Sequence, residues 1–518
     1  MKLPFHSAIL HFFLHKNWLP FAAVVVAATG SLLLGFNGLY GQDAHELLRQ
    51  SRAFFQIFEG VPYVLQGRGD VEIAVGYPLA GALLRLLGPD SILALQMVSW
   101  FAAGTALWAF DFCLRVLSPG AHRWSRQLYA GVALALSAYF VRAGVTVMSD
   151  ALGLALALFA AGFGMRAVEG RRGRDAVWAA AFSGLAVLTR FALAPLLAPL
   201  AVGVGVALMR VPPMPGRRDW NTGWLIVSVL TGLVMLLPHF WLKAGMTDAF
   251  LGHSLLRNWS AGNLFCASFS TGNGLAEYRL PNIVYVLFPL AHPGFLLPLP
   301  LLFFLAKRTD FLLPAKRVLM VCLAVYLFFL GGLPVQNVRY LLPAYAFLLL
   351  LVFPAWDRFV SYGFYFFKKL TTSLVLGAVV CQLFFTVKTL LPIWERNRLE
   401  RVAAERLREE CGRRDGGPTP NPSGGGVGDG ACPPLFTFDL DLALRSYLPD
   451  WPINNLWVSR YEAFPTGALI LFNEPRLRRQ WEGRNPMLNW DFVAAHYKLR
   501  EVDTFPEGWT LYEIVKPK

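Results

Sequence analysis

The chain has 518 residues, of which 55% are hydrophobic and only 15% charged, and it carries a formal charge of +14. Soluble enzymes hold about 25% charged residues, so this composition excludes an ordinary water-soluble globule. The positive charge does not require nucleic acid, because Lys and Arg on the cytoplasmic loops of a membrane protein give the same excess.

Apolar runs long enough to cross a bilayer recur along most of the chain. Spans are expected at 18–38, 92–117, 127–147, 151–168, 176–190, 192–208, 222–241, 282–305, 315–333, 340–356 and 371–391. This gives about eleven transmembrane helices, with ends uncertain by about four residues. The stretch 73–88, "IAVGYPLAGALLRLLG", is short for a span, and its Pro78 and Arg85 suit an interfacial helix. Met1–Leu10 has little of a signal peptide about it, so the first span is expected to be retained. Placing Lys2 and Lys16 in the cytoplasm puts the basic loops "RAVEGRRGRD", "RVPPMPGRRDW" and "AKRTDFLLPAKR" on the same side, as the positive-inside rule requires. An odd span count then sends the C-terminus outside.

After Leu391 the character changes. "ERNRLERVAAERLREECGRRD" reads as a charged helix, and 416–430 is a Gly/Pro-rich loop. Short strands are expected at "PLFTFDL", "NNLWVSR", "ALILFNE", "KLREVDTF" and "WTLYEIV". Helices are expected at "LALRSYL", "EPRLRRQWE" and "NWDFVAAHY". The expected organisation is a transmembrane domain over 1–395 and a small outer α/β domain over 396–518. Cys411 and Cys432 flank the glycine-rich loop and can be either a disulfide or two free thiols.

The polar residues near the outer face carry the chemistry. "YGQDAHELLRQSRAF" places Asp43, His45 and Glu46 directly after the first span. Asp43 either caps an interfacial helix or serves a reaction. Asp150 stands in a very short outer hairpin, where it too could be an N-cap. Two carboxylates at one membrane face are costly unless used. Arg142, Arg190, His253, Arg257 and Arg339 lie at similar depth. Each alone can snorkel to the interface. Together with the carboxylates they suit a phosphate-bearing substrate, since Arg forks grip phosphate oxygens while a carboxylate activates a nucleophile. No Walker loop or GxGxxG is present. A lipid-linked phosphate is the form of donor available outside the cytoplasm.

These stretches resemble the GT-C superfamily of integral-membrane glycosyltransferases, in particular the bacterial branch with protein O-mannosyltransferases and lipid A aminoarabinose transferases. "YGQDAHELLRQSRAF" is similar to the family's first outer loop, and "GYPLAGALLRLLG" to the later part of that loop. "VRAGVTVMSDALGLALALFA" is similar to its second acidic motif, and "RYLLPAYAFLLL" to a late span. "GLAVLTRFALAPLL" resembles a stretch where the family usually has Lys, here Arg190. The resemblance implies a GT-C transmembrane domain, with interfacial helices in the first outer loop. It implies that Asp43 is the catalytic carboxylate, or holds the acceptor or a metal, and that Asp150 assists it. Arg190 and Arg257, joined by Arg339 and Arg142, would contact the donor phosphate. His45, Glu46, His253 and Tyr77 are secondary or acceptor-side candidates. The family's frequent Lys-Pro-Pro is replaced by Gly76-Tyr77-Pro78, which argues for a different phosphate grip.

The resulting expectation is an inverting glycosyltransferase in the bacterial inner membrane, with its N-terminus cytoplasmic and its C-terminal domain periplasmic. It would move a sugar from a polyprenyl-phosphate donor to a lipid, glycan or protein acceptor. No cofactor is expected with certainty, a divalent metal is left open, and nucleic acid is not a partner. The rival readings are a transporter or flippase for a lipid-linked or anionic substrate, and a non-catalytic assembly subunit.

Overall fold

The computed structural model describes residues 18–61, 73–170, 172–210, 220–242, 254–271, 274–295, 299–366, 368–414 and 432–518. His253, the basic N-terminal residues Lys2 and Lys16, and the loop 416–430 lie outside the described residues. The chain is a helical polytopic membrane protein. Among the described residues, seven helices are long and apolar enough to cross a bilayer, or eight with the bent pair Arg123–Ala135 and Ala138–Val145. Two further expected spans fall on shorter helices, Leu19–Leu33 and Gly173–Thr189.

Two expected spans are broken. The span 127–147 bends by 77° between Ala135 and Ala138. A π turn over Ala130–Ala135 ends there, and Ser137 takes an extended conformation. The Ala138 N–H freed by the break donates to the Gly294 carbonyl at 3.1 Å, and the Ser137 hydroxyl donates to Leu134 O. A broken helix is tolerated at membrane depth only when neighbours satisfy its backbone in this way. The span 282–305 is replaced by the short helices Asn282–Val286, Phe288–Ala291 and Leu299–Leu305. Pro289, Pro293, Pro298 and Pro300 remove the donors that a continuous helix needs.

The chain divides into two compact units. The first, comprising residues 1–38, 50–267 and 278–391, is the helical membrane body. Its core is rich in small side chains, among them Ala102, Ala106, Ala151, Ala155 and Ala157. A Cβ on Gly162 would lie 2.5 Å from the Phe112 ring. Such close approach is how membrane helices gain dispersion energy where no hydrophobic drive separates them from lipid. The helix Gly76–Arg85 has 10 residues. It rises about 15 Å, half of a hydrocarbon core.

The second unit gathers residues 39–49, 268–277 and 392–518. Its sheet has the order β4-β3-β5-β7-β6, with β3 Leu435–Thr437, β4 Ile453–Asn455, β5 Leu469–Phe472, β6 Tyr497–Phe505 and β7 Trp509–Pro517. β3 runs parallel to β4 and β5, whereas β7 runs antiparallel to β5 and β6. Alternating residues of the buried strands reach opposite faces. Leu435, Leu469 and Leu471 meet Leu399, Ala403, Leu407 and Cys411 of the helix Lys368–Arg414. Phe436, Ile470 and Phe472 meet Leu477, Met487 and Trp490 of the helices Glu474–Trp481 and Asn485–His496.

Two features differ from the sequence expectation. The last span and the charged helix are one continuous helix, Lys368–Arg414, with Pro392 inside it. A hairpin of β1 Ser268–Thr271 and β2 Gly274–Glu277 was not expected. Gly274 adopts φ +87°, and a Cβ there would sit 2.7 Å from the Gln480 carbonyl, so the hairpin packs directly on the C-terminal helices.

Cys411 and Cys432 form a disulfide that closes the glycine-rich loop. Loop-closure entropy for about 20 residues corresponds to roughly 3 kcal/mol. Cys411→Ser is therefore expected to lower the stability of the C-terminal unit by about 2–3 kcal/mol, read by thermal unfolding of the purified protein. A melting curve unchanged from the parent, or one insensitive to reductant in the parent, would contradict the bridge.

Candidate functional site

In the membrane body, four residues from three elements converge. Helix Asp150–Gly170 and helix Gly173–Thr189 form a tight antiparallel hairpin, so the start of the first lies beside the end of the second. Asp150 occupies the first turn of its helix. Arg190 ends the other, in an extended conformation (φ −158°, ψ 109°) before a 3-10 turn leads into helix Ala194–Met209. Each charge is thus matched to its helix dipole, the anion at an N-terminus and the cation at a C-terminus. The two side chains form an ion pair and both are buried. Gly153 permits this approach, since a Cβ there would be 3.6 Å from Arg190 Cβ and 3.0 Å from Leu193.

The Arg190 guanidinium also lies over the Tyr340 ring, 4.5 Å from its centroid. Arg339 lies 5.5 Å from the same ring, and its Nη1 donates to Met148 Sδ at 3.1 Å. Both residues sit half-buried in the 3-10 turn Val338–Leu341, where Asn337 Oδ1 accepts from the Arg339 N–H. Two guanidiniums therefore share one aromatic plate and one of them is paired with a carboxylate, a net single positive charge in these three groups. Tyr340 was not singled out from sequence. Its signal is its place directly after Arg339 at the head of a long apolar helix, where a ring serves as a cation–π platform.

Tyr77 lies close in the same body but turns inward. Its hydroxyl donates to the Leu95 carbonyl at 2.8 Å and lies 2.7 Å from Ser99 Oγ, which donates to Thr146 O. Burial pushes its phenol pKa up, so it remains a donor inside the core. A neighbouring link joins Val147 N–H to the Gly38 carbonyl at 2.8 Å. Gly38 has φ +80°, and a Cβ there would be 2.8 Å from Val147 Cγ2, so only glycine fits this exit from the first helix. Arg142 is half-buried, and its carbonyl accepts from Thr146. Arg257 is exposed at the end of the short helix Ser254–Arg257. Among the described residues, no hydrogen bond or ion pair joins Arg257 to the Asp150 cluster.

In the second unit, Asp43 is exposed on the first turn of helix Gly41–Phe58, while Ala44, His45, Glu46, Leu47 and Leu48 are buried. Glu46 accepts two hydrogen bonds from Arg49, at 2.6 and 2.9 Å. His45 Nε2 donates to Glu400 Oε2 at 2.9 Å. Glu400 Oε1 accepts from Arg396 Nε at 2.8 Å, and Arg396 donates on to Asp439 at 3.1 Å. Among the described residues, no three His, Cys, Asp or Glu side chains converge as a bound metal would require.

The family model described as dolichyl-phosphate-mannose-protein mannosyltransferase matches residues 123–242. The structure of ArnT from Cupriavidus metallidurans bound to undecaprenyl phosphate superposes with a TM-score of 0.57, covering 94% of this chain and 97% of that one at 15% identity. The apo state of the same protein gives a TM-score of 0.56 at 14% identity, again covering 94% and 97%. No curated protein matches the chain by sequence. The chain shares the overall fold of these two structures, the architecture that the sequence resemblance leads one to expect.

The ion pair gives a test independent of any reaction. Asp150→Ala leaves Arg190 charged and buried, which should cost about 3–5 kcal/mol. Removing both charges, in Asp150→Ala with Arg190→Ala, should cost less than the sum of the single changes by at least 1 kcal/mol. Additive losses in detergent unfolding would show that the two side chains do not act on each other.

Proposed function

We propose that the chain is a GT-C glycosyltransferase that takes a sugar from a polyprenyl-phosphate donor at the outer face of the membrane and gives it to a lipid, glycan or protein acceptor. The observation that carries this reading is the Asp150–Arg190–Tyr340–Arg339 cluster at one end of the helical body, on a fold shared with a protein crystallised with undecaprenyl phosphate. The mannosyltransferase family match over 123–242 adds support, because that segment contains both Asp150 and Arg190.

In the proposed reaction the acceptor attacks the anomeric carbon, the bond from that carbon to the phosphate oxygen breaks, and the acceptor loses its proton. Asp43 takes or orients that proton. The leaving polyprenyl phosphate gains negative charge, which a net-positive cluster stabilises. Arg339 is the half-buried guanidinium best disposed to reach an incoming oxygen. Arg190 is already paired to Asp150, so Asp150 acts by fixing it in place. Arg142 and Arg257 are further donor-side candidates, and a single displacement inverts the sugar.

The experiment uses purified protein, a polyprenyl-phosphate sugar and its acceptor. Asp43→Asn should lower turnover by about two to four orders of magnitude with donor binding retained. Arg339→Ala should instead weaken donor binding by about 1.5–3 kcal/mol, or roughly ten- to a hundredfold in Kd. Near-parental turnover in Asp43→Asn would leave Asp43 as a first-turn carboxylate that favours its helix dipole, and remove the reading's catalytic centre.

A further inference from the structure

The second unit encloses a buried polar chain that the proposed reaction does not yet use. His45 and Glu400 are both essentially inaccessible, with side-chain exposures of 0% and 1%. Both oxygens of Glu400 are occupied, one by His45 and one by Arg396. Arg396 is itself buried and donates to the Asp439 carboxylate at 3.1 Å and to its carbonyl at 2.7 Å. Asp439 faces Arg476 at 3.5 Å, and Arg476 pairs with Glu507 at 2.8 Å. Asp439 stands at φ +70°, in the left-handed region that Asp enters more readily than most residues with a side chain. The His45 ring also meets Tyr447 edge-on, with centroids 5.7 Å apart.

A second tether lies next to the first. Buried Asn397 donates from Nδ2 to the Leu39 carbonyl at 2.8 Å. Leu39 precedes Asp43 by four residues, and His45 follows it by two. The segment that bears Asp43 is therefore pinned on both sides by one turn of the helix Lys368–Arg414. Asp43 is the exposed residue between the two pins. A purely structural anchor would be built more cheaply from apolar side chains, because burying a charged pair rarely gains net stability. What such a pair does give is one geometry, through bonds that break when the segment shifts.

We propose that Glu400, through His45, and Asn397, through Leu39, are positioning residues that hold Asp43 in its working place, making turnover depend on the C-terminal domain. This rests on the assignment of Asp43 as the catalytic carboxylate. A displacement of about 1 Å in a reacting group can cost roughly a hundredfold in rate. Glu400→Ala in the full chain is therefore expected to lower kcat by about ten- to a hundredfold, with KM for the polyprenyl-phosphate donor within about twofold of the parent. Glu400→Gln keeps an acceptor oxygen for His45 but turns its NH2 toward Arg396, and should recover part of kcat. Amide hydrogen exchange over residues 40–48 should rise at least about tenfold in Glu400→Ala and little in Glu400→Gln. In an Asp43→Asn background the Glu400→Ala loss should vanish, because a positioning residue has nothing left to position.

Unchanged kcat in Glu400→Ala, a loss carried by KM, or the same loss with and without Asp43 overturns the proposal while leaving the glycosyltransferase reading intact. Near-parental turnover in Asp43→Asn overturns that reading instead, and the exchange data then still decide whether the pair holds the segment. If Glu400→Ala does not purify, Asn397→Ala is judged by the same kcat, KM and exchange criteria.

Discussion

Residues 39–49, 268–277 and 392–518 pack into one body, and a membrane allows this only if all three lie on the same side. The chain between each pair must then cross the bilayer an even number of times. Six spans are expected between 49 and 268; between 277 and 392 the three long apolar helices make an even number only if the short helices over 282–305 together cross once. Counting 73–88 as a span would make the first number odd. Its ten-residue helix is also too short to cross. The contacts that impose this parity are specific: His45 to Glu400, Asn397 to Leu39, and the β1–β2 hairpin against Gln480. Neither the hairpin nor the turn at Asp43 has enough apolar area to fold alone, so each depends on the C-terminal sheet and the helix that precedes it.

Two charged groupings in the protein obey different physics. Asp150 and Arg190 sit at the ends of two antiparallel helices, where backbone dipoles already favour each charge. The pair therefore costs less to bury than an isolated one, and Tyr340 gives the cation a second face. His45, Glu400, Arg396 and Asp439 are held chiefly by one another, with Arg476 beyond Asp439. Their burial is tolerable because Glu400 has a donor for each oxygen and Arg396 has acceptors at all three of its nitrogens. The first grouping is arranged to leave a net positive charge, which suits a place where charge must develop during a reaction. The second gives each Glu400 oxygen and each Arg396 nitrogen a partner, which suits a place that must not move.

Much of this was legible in the sequence. Long apolar runs mark membrane helices whatever their packing, and the expected strands "PLFTFDL" and "ALILFNE" contain β3 and β5. What failed to show were features that depend on a distant partner. The bend near Ser137 needs the Gly294 carbonyl to accept the freed N–H, and no local pattern announces that. The β1–β2 hairpin has only four residues per strand, with a surface to lie on that is supplied about two hundred residues later. The proline-rich run after Pro281 carried the warning of a broken span in its own composition, but its apolar character outweighed it.

The helix Lys368–Arg414 shows why a charged stretch can still be core. Its residues Arg396, Glu400, Ala403, Leu407 and Cys411 follow at intervals of three and four, the spacing of one helical face. Read by composition, "ERNRLERVAAERLREEC" is a solvated helix; read by period, two of its charges stand on the buried stripe. A charge on such a stripe is affordable only with a partner in reach, and Arg396 with Glu400 at i,i+4 supplies half of it. The other half is His45, two residues from Asp43. The same face that anchors the sheet through Leu399 and Leu407 thus reaches the Asp43 segment through Glu400 and Asn397. A shift of this helix along its axis would move both attachments together, so the order of the soluble sheet and the placement of Asp43 are coupled through a single rigid element.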